Sequence, residues 1–287
     1  MHANLYALGA IALWSTLAAL GVALAHVPPF LLTGLALVIG SIPAWPRLRE
    51  WRVPPSTLLM GVYGLFAYHF LLFMALRHAP AVEANLVNYL WPLLIVVLAP
   101  VMLRGFALQA RHVLAALAGF AGAAIAILGG GTSGAGWSWG YLAALAAAII
   151  WSTYSLLTRR VAPFSTAAIG LFGLVSGLLA LACHAVFEPA AQLAPRDWLL
   201  VAIAGLGPLG AAFFLWDRAL KLGDPRQIGI LSYITPFAST LLLMLATGRS
   251  PTWSIAASAA LIIGAAIVGT REPQADRSAA GSSASTT

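Results

Sequence analysis

A chain of 287 residues that is 61% hydrophobic and only 8% charged has too little polar surface to coat a water-soluble fold, where charged residues make up about 25%. Its mean hydropathy of +0.92 places it in a bilayer, and the formal charge of +7 calls for no nucleic acid once the basic residues are assigned to loops. A lone cysteine, Cys183, excludes an internal disulfide and a cysteine-based metal cluster.

Crossing the hydrocarbon core takes roughly 20 apolar residues in a helix. In chain order, such segments are expected at 4–26, 29–45, 56–76, 82–103 and 113–130, then at 138–158, 165–187, 198–220, 227–247 and 252–270. The expected fold class is an all-α polytopic membrane protein with ten transmembrane helices. The first segment is followed by Ala23-Leu24-Ala25, which looks like a signal-peptidase site, but Met1-His2-Ala3-Asn4 carries no Lys or Arg. It is therefore read as a retained span. The Gly-rich stretch from Gly129 to Gly136 divides two sets of five. The first unit is placed at 1–131 and the second at 132–270, with a disordered, Ser- and Ala-rich cytoplasmic tail at 271–287.

The two sets echo each other. Ala75-Leu76-Arg77 and Tyr89-Leu90-Trp91-Pro92 recur 144 positions later as Ala219-Leu220-Lys221 and Tyr233-Ile234-Thr235-Pro236. Trp14-Ser15-Thr16 returns as Trp151-Ser152-Thr153, at an offset of 137. Two related apolar halves are a signature of secondary transporters. With the N-terminus inside, only Arg77, Arg196 and Arg249 among the 15 basic residues fall outside. Positive residues favour cytoplasmic loops, so both termini are placed in the cytoplasm. Five spans per half then make the second half enter from the opposite side, as an inverted repeat.

The doubled five-helix plan has a fourth helix in each half that starts after a short turn and is interrupted by Pro, at Tyr89 to Pro92 and Tyr233 to Pro236. It resembles the EamA-type members of the drug/metabolite transporter superfamily. With Trp14, Tyr68-His69 and Trp91, the likeness within that superfamily is to the YddG-type aromatic amino acid exporters, over about residues 3–270. The resemblance implies export of aromatic and other amino acids across a bacterial inner membrane. One departure is plain. Many EamA-type members carry Glu after the fourth helix of a half, where this chain reads Met102-Leu103-Arg104-Gly105 and Ala246-Thr247-Gly248-Arg249. The role of that Glu is not carried over.

Few ionisable groups fall at depth. Glu83, Asp217 and His184 lie near predicted helix ends, within reach of water or headgroups, and His69 lies well inside a span. No carboxylate is expected near the centre to bind a driving cation or exchange a proton. His69 either lines the pathway, as a hydrogen-bonding group or proton sensor, or is a neutral side chain tied to a neighbouring helix. Asn85, Asn88, Tyr89 and Pro92 share one helical stripe, which serves either helix–helix contact or a cavity wall. Pro92 and Pro236 free backbone carbonyls near Asn88 and Ser232 and are candidate hinges. Trp45, Trp51, Trp137, Trp139, Trp198 and Trp253 fall near boundaries and suit the interfacial belt. Trp14, Trp91 and Trp151 sit deeper, either packed in the bundle or forming a wall that stacks planar substrates.

The candidate substrate-binding set is Trp14, Tyr68, His69, Asn85, Tyr89, Trp91, Trp151 and Tyr233. No H-E-x-x-H, P-loop or G-x-S-x-G motif occurs, so no enzyme activity, cofactor, metal or ATP-driven step is expected. The function expected is facilitated export by alternating access. A proton-coupled drug or metabolite antiporter and a solute channel are the rivals. The partners expected are a small-molecule substrate and the lipid bilayer, with the chain a monomer.

Overall fold

The structure, a computed structural model, describes residues 2–128, 137–247 and 253–270. The Gly129 to Gly136 divider and the expected disordered tail lie outside the described residues. Among the described residues there are helices and connections and no strand.

Helices α1 (His2–Ser15) and α2 (Leu17–Ala23) follow one another with a break at Thr16. Ser15 Oγ donates to the Ile11 carbonyl at 2.8 Å and Thr16 Oγ1 to the Leu13 carbonyl at 2.7 Å. Hydroxyls bonded back onto the preceding turn weaken a helix there. Next come α3 (Pro29–Ser41), which tightens into a 3-10 stretch at Ile42–Trp51, and α4 (Pro55–Val62). A π-turn at Tyr63–Ala67 joins α4 to α5 (Tyr68–His78). Helices α6 (Ala81–Asn88) and α7 (Trp91–Met102) are separated by Tyr89 and Leu90, and α8 (Ala110–Leu128) completes this part. The chain continues with α9 (Gly140–Leu157), α10 (Ala168–Phe187) and α11 (Pro195–Leu206). A second π-turn at Gly207–Ala211 leads into α12 (Ala212–Leu222), then α13 (Pro225–Leu231), α14 (Ile234–Thr247) and α15 (Trp253–Thr270). Prolines open α3, α4, α11 and α13, at positions where the missing N–H is not needed. Asp224 caps α13 by accepting from the Arg226 N–H at 2.8 Å.

Nine stretches of the described residues are long and apolar enough to cross a membrane. They agree with nine of the expected segments. The segment expected at 227–247 is helical too, but Ser232 and Tyr233 divide it into α13 and α14, of 7 and 14 residues. Neither piece alone reaches the roughly 20 residues of a span.

The irregularities repeat with the sequence. The two π-turns begin at Tyr63 and Gly207, and the two broken helices turn at Tyr89 and Tyr233, each pair 144 positions apart. π-turns inside helices are rare and concentrate at functional sites. In the second, Pro208 supplies no N–H to the helix. In the first, Gly64 lets the Tyr154 ring lie directly on the backbone, in space a Cβ would occupy.

The closest helix pairs are α15 with α8, α10 with α3, α1 with α12, and α5 with α9. Helix α13 crosses α7 where Gly229 meets the Pro92 carbonyl; a Cβ there would lie 3.1 Å from that oxygen. Leu5, Val22, Leu59, Val101 and Val186 point outward, as apolar side chains in contact with lipid do. Trp45, Trp137, Trp139, Trp198 and Trp253 are exposed, in keeping with a place at the membrane boundary.

The connections sort to two ends. At one, Arg159 Nη1 donates to the Gly223 carbonyl, Arg226 to the Ala107 carbonyl, and Ser165 to Glu50. At the other, Glu188 accepts from the Phe30 and Leu31 N–H groups and from His184, while Ser138 donates to the His78 carbonyl. The first end carries most of the arginines.

Candidate functional site

The helices converge on four indoles. Trp14 comes from α1, Trp91 opens α7, Trp151 lies in α9 and Trp216 in α12; all four are buried. Trp14 is 6.5 Å from Trp91, 5.7 Å from Trp151 and 5.2 Å from Trp216, measured between ring centroids. Trp91 meets Trp151 at 6.4 Å and Trp216 at 5.6 Å, both edge-on, and Trp151 stacks along Trp216 at 6.3 Å. These separations fall in the 4.5–7 Å range in which aromatic pairs attract.

Further rings close the sides. Phe213 lies 6.1 Å from Trp14, 5.7 Å from Trp151 and 6.2 Å from His69. Tyr68 lies 5.2 Å from Trp151 and 5.0 Å from His69, and Tyr154 lies 5.4 Å from Trp151. Both π-turns serve this cluster. The Leu65 carbonyl in the first accepts from His69 Nδ1 at 2.5 Å, and the Pro208 carbonyl in the second accepts from Trp14 Nε1 at 3.0 Å. A π-turn displaces carbonyls from the regular i to i+4 ladder and leaves them free for side chains. Trp216 Nε1 donates to Ser155 Oγ at 3.1 Å.

Polar groups enter from α6. Asn88 Nδ2 donates to Tyr68 Oη at 3.3 Å, and Asn88 Oδ1, also buried, has no partner. Asn85 on α6 and Tyr89 at its C-terminal cap are half-buried, and the Asn85 carbonyl holds the Tyr89 N–H at 3.0 Å. Pro92 sits in the first turn of α7 and Pro236 in the first turn of α14, so each follows its break without interrupting a helix interior.

Five of the expected site residues therefore meet: Trp14, Tyr68, His69, Trp91 and Trp151. Asn85 lies on α6 and Tyr89 at its C-terminal cap. Tyr233 lies elsewhere, fully buried in a separate cluster where its ring packs on Gly119 and stands 6.4 Å from Phe120. His69 is tied to its own helix, not to a neighbouring one. Trp216, Phe213 and Tyr154 were not anticipated. The repeat interval applied to His69 points to Phe213; nothing of that kind marks Trp216, whose repeat counterpart is Leu72.

Asp217 differs from its sequence reading. It is buried, at 2% exposure, where Thr166 from the α9–α10 connection and Lys221 from its own helix close on it. Its Oδ2 accepts from Thr166 Oγ1 at 2.6 Å and Lys221 Nζ at 2.7 Å, while Oδ1 is unpartnered. Lys221 also donates to the Phe164 carbonyl at 2.9 Å and lies 3.7 Å above the Phe164 ring. Asp217 follows Trp216 in α12. Among the described residues, no group of three or more His, Cys, Asp or Glu could hold a metal ion.

The model of the EamA-like transporter family matches residues 1–128 and again 138–270. The chain belongs to the EamA-like transporter family. This EamA-family chain is 43% identical, over 93% of its own length and 96% of the other, to a protein of Ancylobacter novellus named aromatic amino acid exporter YddG. A protein of the same name from Escherichia coli (strain K12) is 25% identical over the same shares. A solved crystal structure matches with a TM-score of 0.89 at 43% identity, covering 93% of this chain and 95% of that one.

Proposed function

We propose that the protein is an inner-membrane exporter of aromatic amino acids that works by alternating access. The observation that carries this reading is the meeting of Trp14, Trp91, Trp151 and Trp216 at the centre of the bundle, in a chain related to proteins named for aromatic amino acid export. An aromatic ring inserted among these indoles gains apolar burial, and each offset or edge-to-face pair adds about 0.5–1.5 kcal/mol. A desolvated ammonium over an indole face contributes about 2 kcal/mol. Asn88 Oδ1, which has no partner, is an acceptor for that ammonium. Tyr89 and Asn85 line the approach from α6. The substrate-binding set proposed is Trp14, Tyr68, His69, Asn85, Tyr89, Trp91 and Trp151, now with Trp216 and Phe213. Tyr233 shapes the site at one remove, through the α13–α14 break.

The architecture proposed is ten spans in two inverted halves, 1–131 and 132–270, with α13 and α14 together forming the ninth span. The 144-residue interval shared by the π-turns and the broken helices supports it, as does the contact of Trp14 with its repeat partner Trp151. Residues equivalent under a pseudo-two-fold meet near its axis. The Arg-rich end is cytoplasmic, so both termini face the cytoplasm. Two halves of one plan give two packings of similar energy, open to either side, and Pro92 and Pro236 mark where α6–α7 and α13–α14 flex. The chain is no enzyme and carries its substrate down the substrate's own gradient.

Asp217 supports a second reading. A buried carboxylate with one free oxygen, on the helix that carries Trp216, is the kind of group that exchanges protons in coupled carriers, and a proton-coupled antiporter would use it. Uptake by proteoliposomes discriminates substrates: phenylalanine, tyrosine and tryptophan should be carried in preference to glutamate and lysine. A flat profile across these five would remove the support given by the indoles.

A further inference from the structure

The Arg-rich end holds a cavity of about 390 Å³, lined by Met102, Leu103, Arg104, Phe106, Arg159 and Arg160. It lies at the departure already noted in the sequence, where Arg104-Gly105 follows α7. Gly105 makes the turn, with φ at +84°, a backbone region that glycine enters without strain. The turn sets Arg104 on the rim and leads Phe106 to a place between the Arg159 and Arg226 guanidiniums, each 5.2 Å from its ring centre.

The charges here are unequally spoken for. Arg226 is neutralised by Asp224 at 2.7 Å. Arg159 spends one nitrogen on the Gly223 carbonyl at 2.7 Å. Arg104 and Arg160 are exposed and make no side-chain hydrogen bond or ion pair within the described residues. No carboxylate lines the cavity. Three guanidiniums around an apolar floor of Met102, Leu103 and Phe106 form a site for an anion that brings an apolar part with it.

Depth decides which anion. Val101, one turn before Arg104, is 79% exposed on a span and so faces hydrocarbon. The cavity therefore opens where hydrocarbon gives way to headgroups. Basic pockets between helices at that level take anionic lipid headgroups, and guanidinium forks match phosphate oxygens in pairs. We infer that Arg104, Arg159 and Arg160 form a binding site for the phosphate of an anionic glycerophospholipid, whose glycerol and upper acyl chain rest on Met102, Leu103 and Phe106. A lipid so held joins the end of α7 to the end of α9.

The test uses purified full-length protein in detergent, titrated separately with phosphatidylglycerol, phosphatidylcholine and glycerol 3-phosphate, with native mass spectra and thermal unfolding as readouts. Phosphatidylglycerol should bind and raise the unfolding temperature, with little effect from the other two at equal concentration. Arg104→Gln/Arg160→Gln should bind it roughly thirty-fold more weakly, the loss expected for two basic side chains at the headgroup level. Arg104→Lys/Arg160→Lys should keep most of the affinity, and Arg47→Gln/Arg49→Gln, which removes two charges elsewhere on the same end, should keep all of it. All four substituted positions, 47, 49, 104 and 160, are exposed on the surface, so loss of fold is not a confounding outcome. Wild-type affinity in the Gln pair at 104 and 160, or an equal loss in the 47 and 49 pair, overturns the site. Glycerol 3-phosphate reproducing the whole shift overturns the lipid in favour of a free phosphate ester.

Discussion

His69 and Phe213 stand 144 positions apart in the chain, the interval of its internal repeat, and their rings meet at 6.2 Å and 77°. The same is true, at the other interval, of Trp14 and Trp151, at 5.7 Å and 77°. Two pairs of residues related by the sequence repeat thus meet in one aromatic cluster. The repeat partners differ in chemistry at that point: imidazole against phenyl.

Stacking predicts a hierarchy among the tryptophans. Trp14→Ala, Trp151→Ala and Trp216→Ala should each lower tryptophan transport by tenfold or more at equal membrane abundance, the loss of about 1.4 kcal/mol or more of aromatic contact. Trp198→Ala and Trp253→Ala, both exposed, should stay within about twofold of wild type, since single surface substitutions away from special features change little. Equal sensitivity of the two groups in a transport assay would replace substrate stacking by general packing.

The hydrogen bond from Trp14 Nε1 to Pro208 O, 3.0 Å long and buried, predicts a separate effect. Trp14→Phe keeps an aromatic ring and leaves the Pro208 carbonyl unpaired, at a cost of about 1–3 kcal/mol. Thermal unfolding should register it. An unchanged unfolding temperature would mean that another donor reaches the carbonyl and that the π-turn at Gly207–Ala211 does not depend on Trp14.

Asp217 predicts a rescue. Asp217→Asn should destabilise the protein, toward the lower end of the roughly 3–5 kcal/mol for a broken buried pair, because the Lys221 side chain is 25% exposed and keeps some solvation. Asp217→Asn/Lys221→Met removes both charges and should recover most of the loss. If the double variant is no more stable than the single one, the carboxylate has a role apart from pairing Lys221. An imposed proton gradient should then drive uptake in the wild type and not in Asp217→Asn.

Much of the fold was legible because helix spans and interfacial tryptophans are written in composition and period. The nine spans follow from apolar runs alone, and Trp14, Trp91 and Trp151 stood out for their depth. The four-indole cluster was only partly legible. Trp216 lies at the far end of a long, kinked span, and the π-turn at Gly207–Ala211 that shifts the phase of α12 leaves no mark beyond Gly207-Pro208. Asp217 read as solvent-accessible because its burial involves Thr166 in a connection 51 positions away, a tertiary contact that helix periodicity does not encode. Tyr233 shares its motif with Tyr89, yet Gly119 draws its ring toward α8; sequence repeats fix the backbone plan more firmly than the neighbours of each side chain.

Orientation predicts labelling. In a Cys183→Ser background, Ala191→Cys and Gln109→Cys place exposed thiols at opposite ends of the bundle. An impermeant thiol reagent should reach Ala191→Cys in intact cells and Gln109→Cys only after permeabilisation. The reverse pattern would turn the Arg-rich end outward, against the charge bias.

Counterflow tests the central claim most directly. Proteoliposomes loaded with unlabelled tryptophan and diluted into labelled tryptophan, with no pH or Na⁺ gradient imposed, report whether one central site faces the two sides in turn. Transient accumulation of label should appear, saturate with external tryptophan, and weaken in Trp14→Ala and Trp216→Ala. Flux that rises linearly with concentration and shows no accumulation from the loaded side would contradict a carrier and describe a channel.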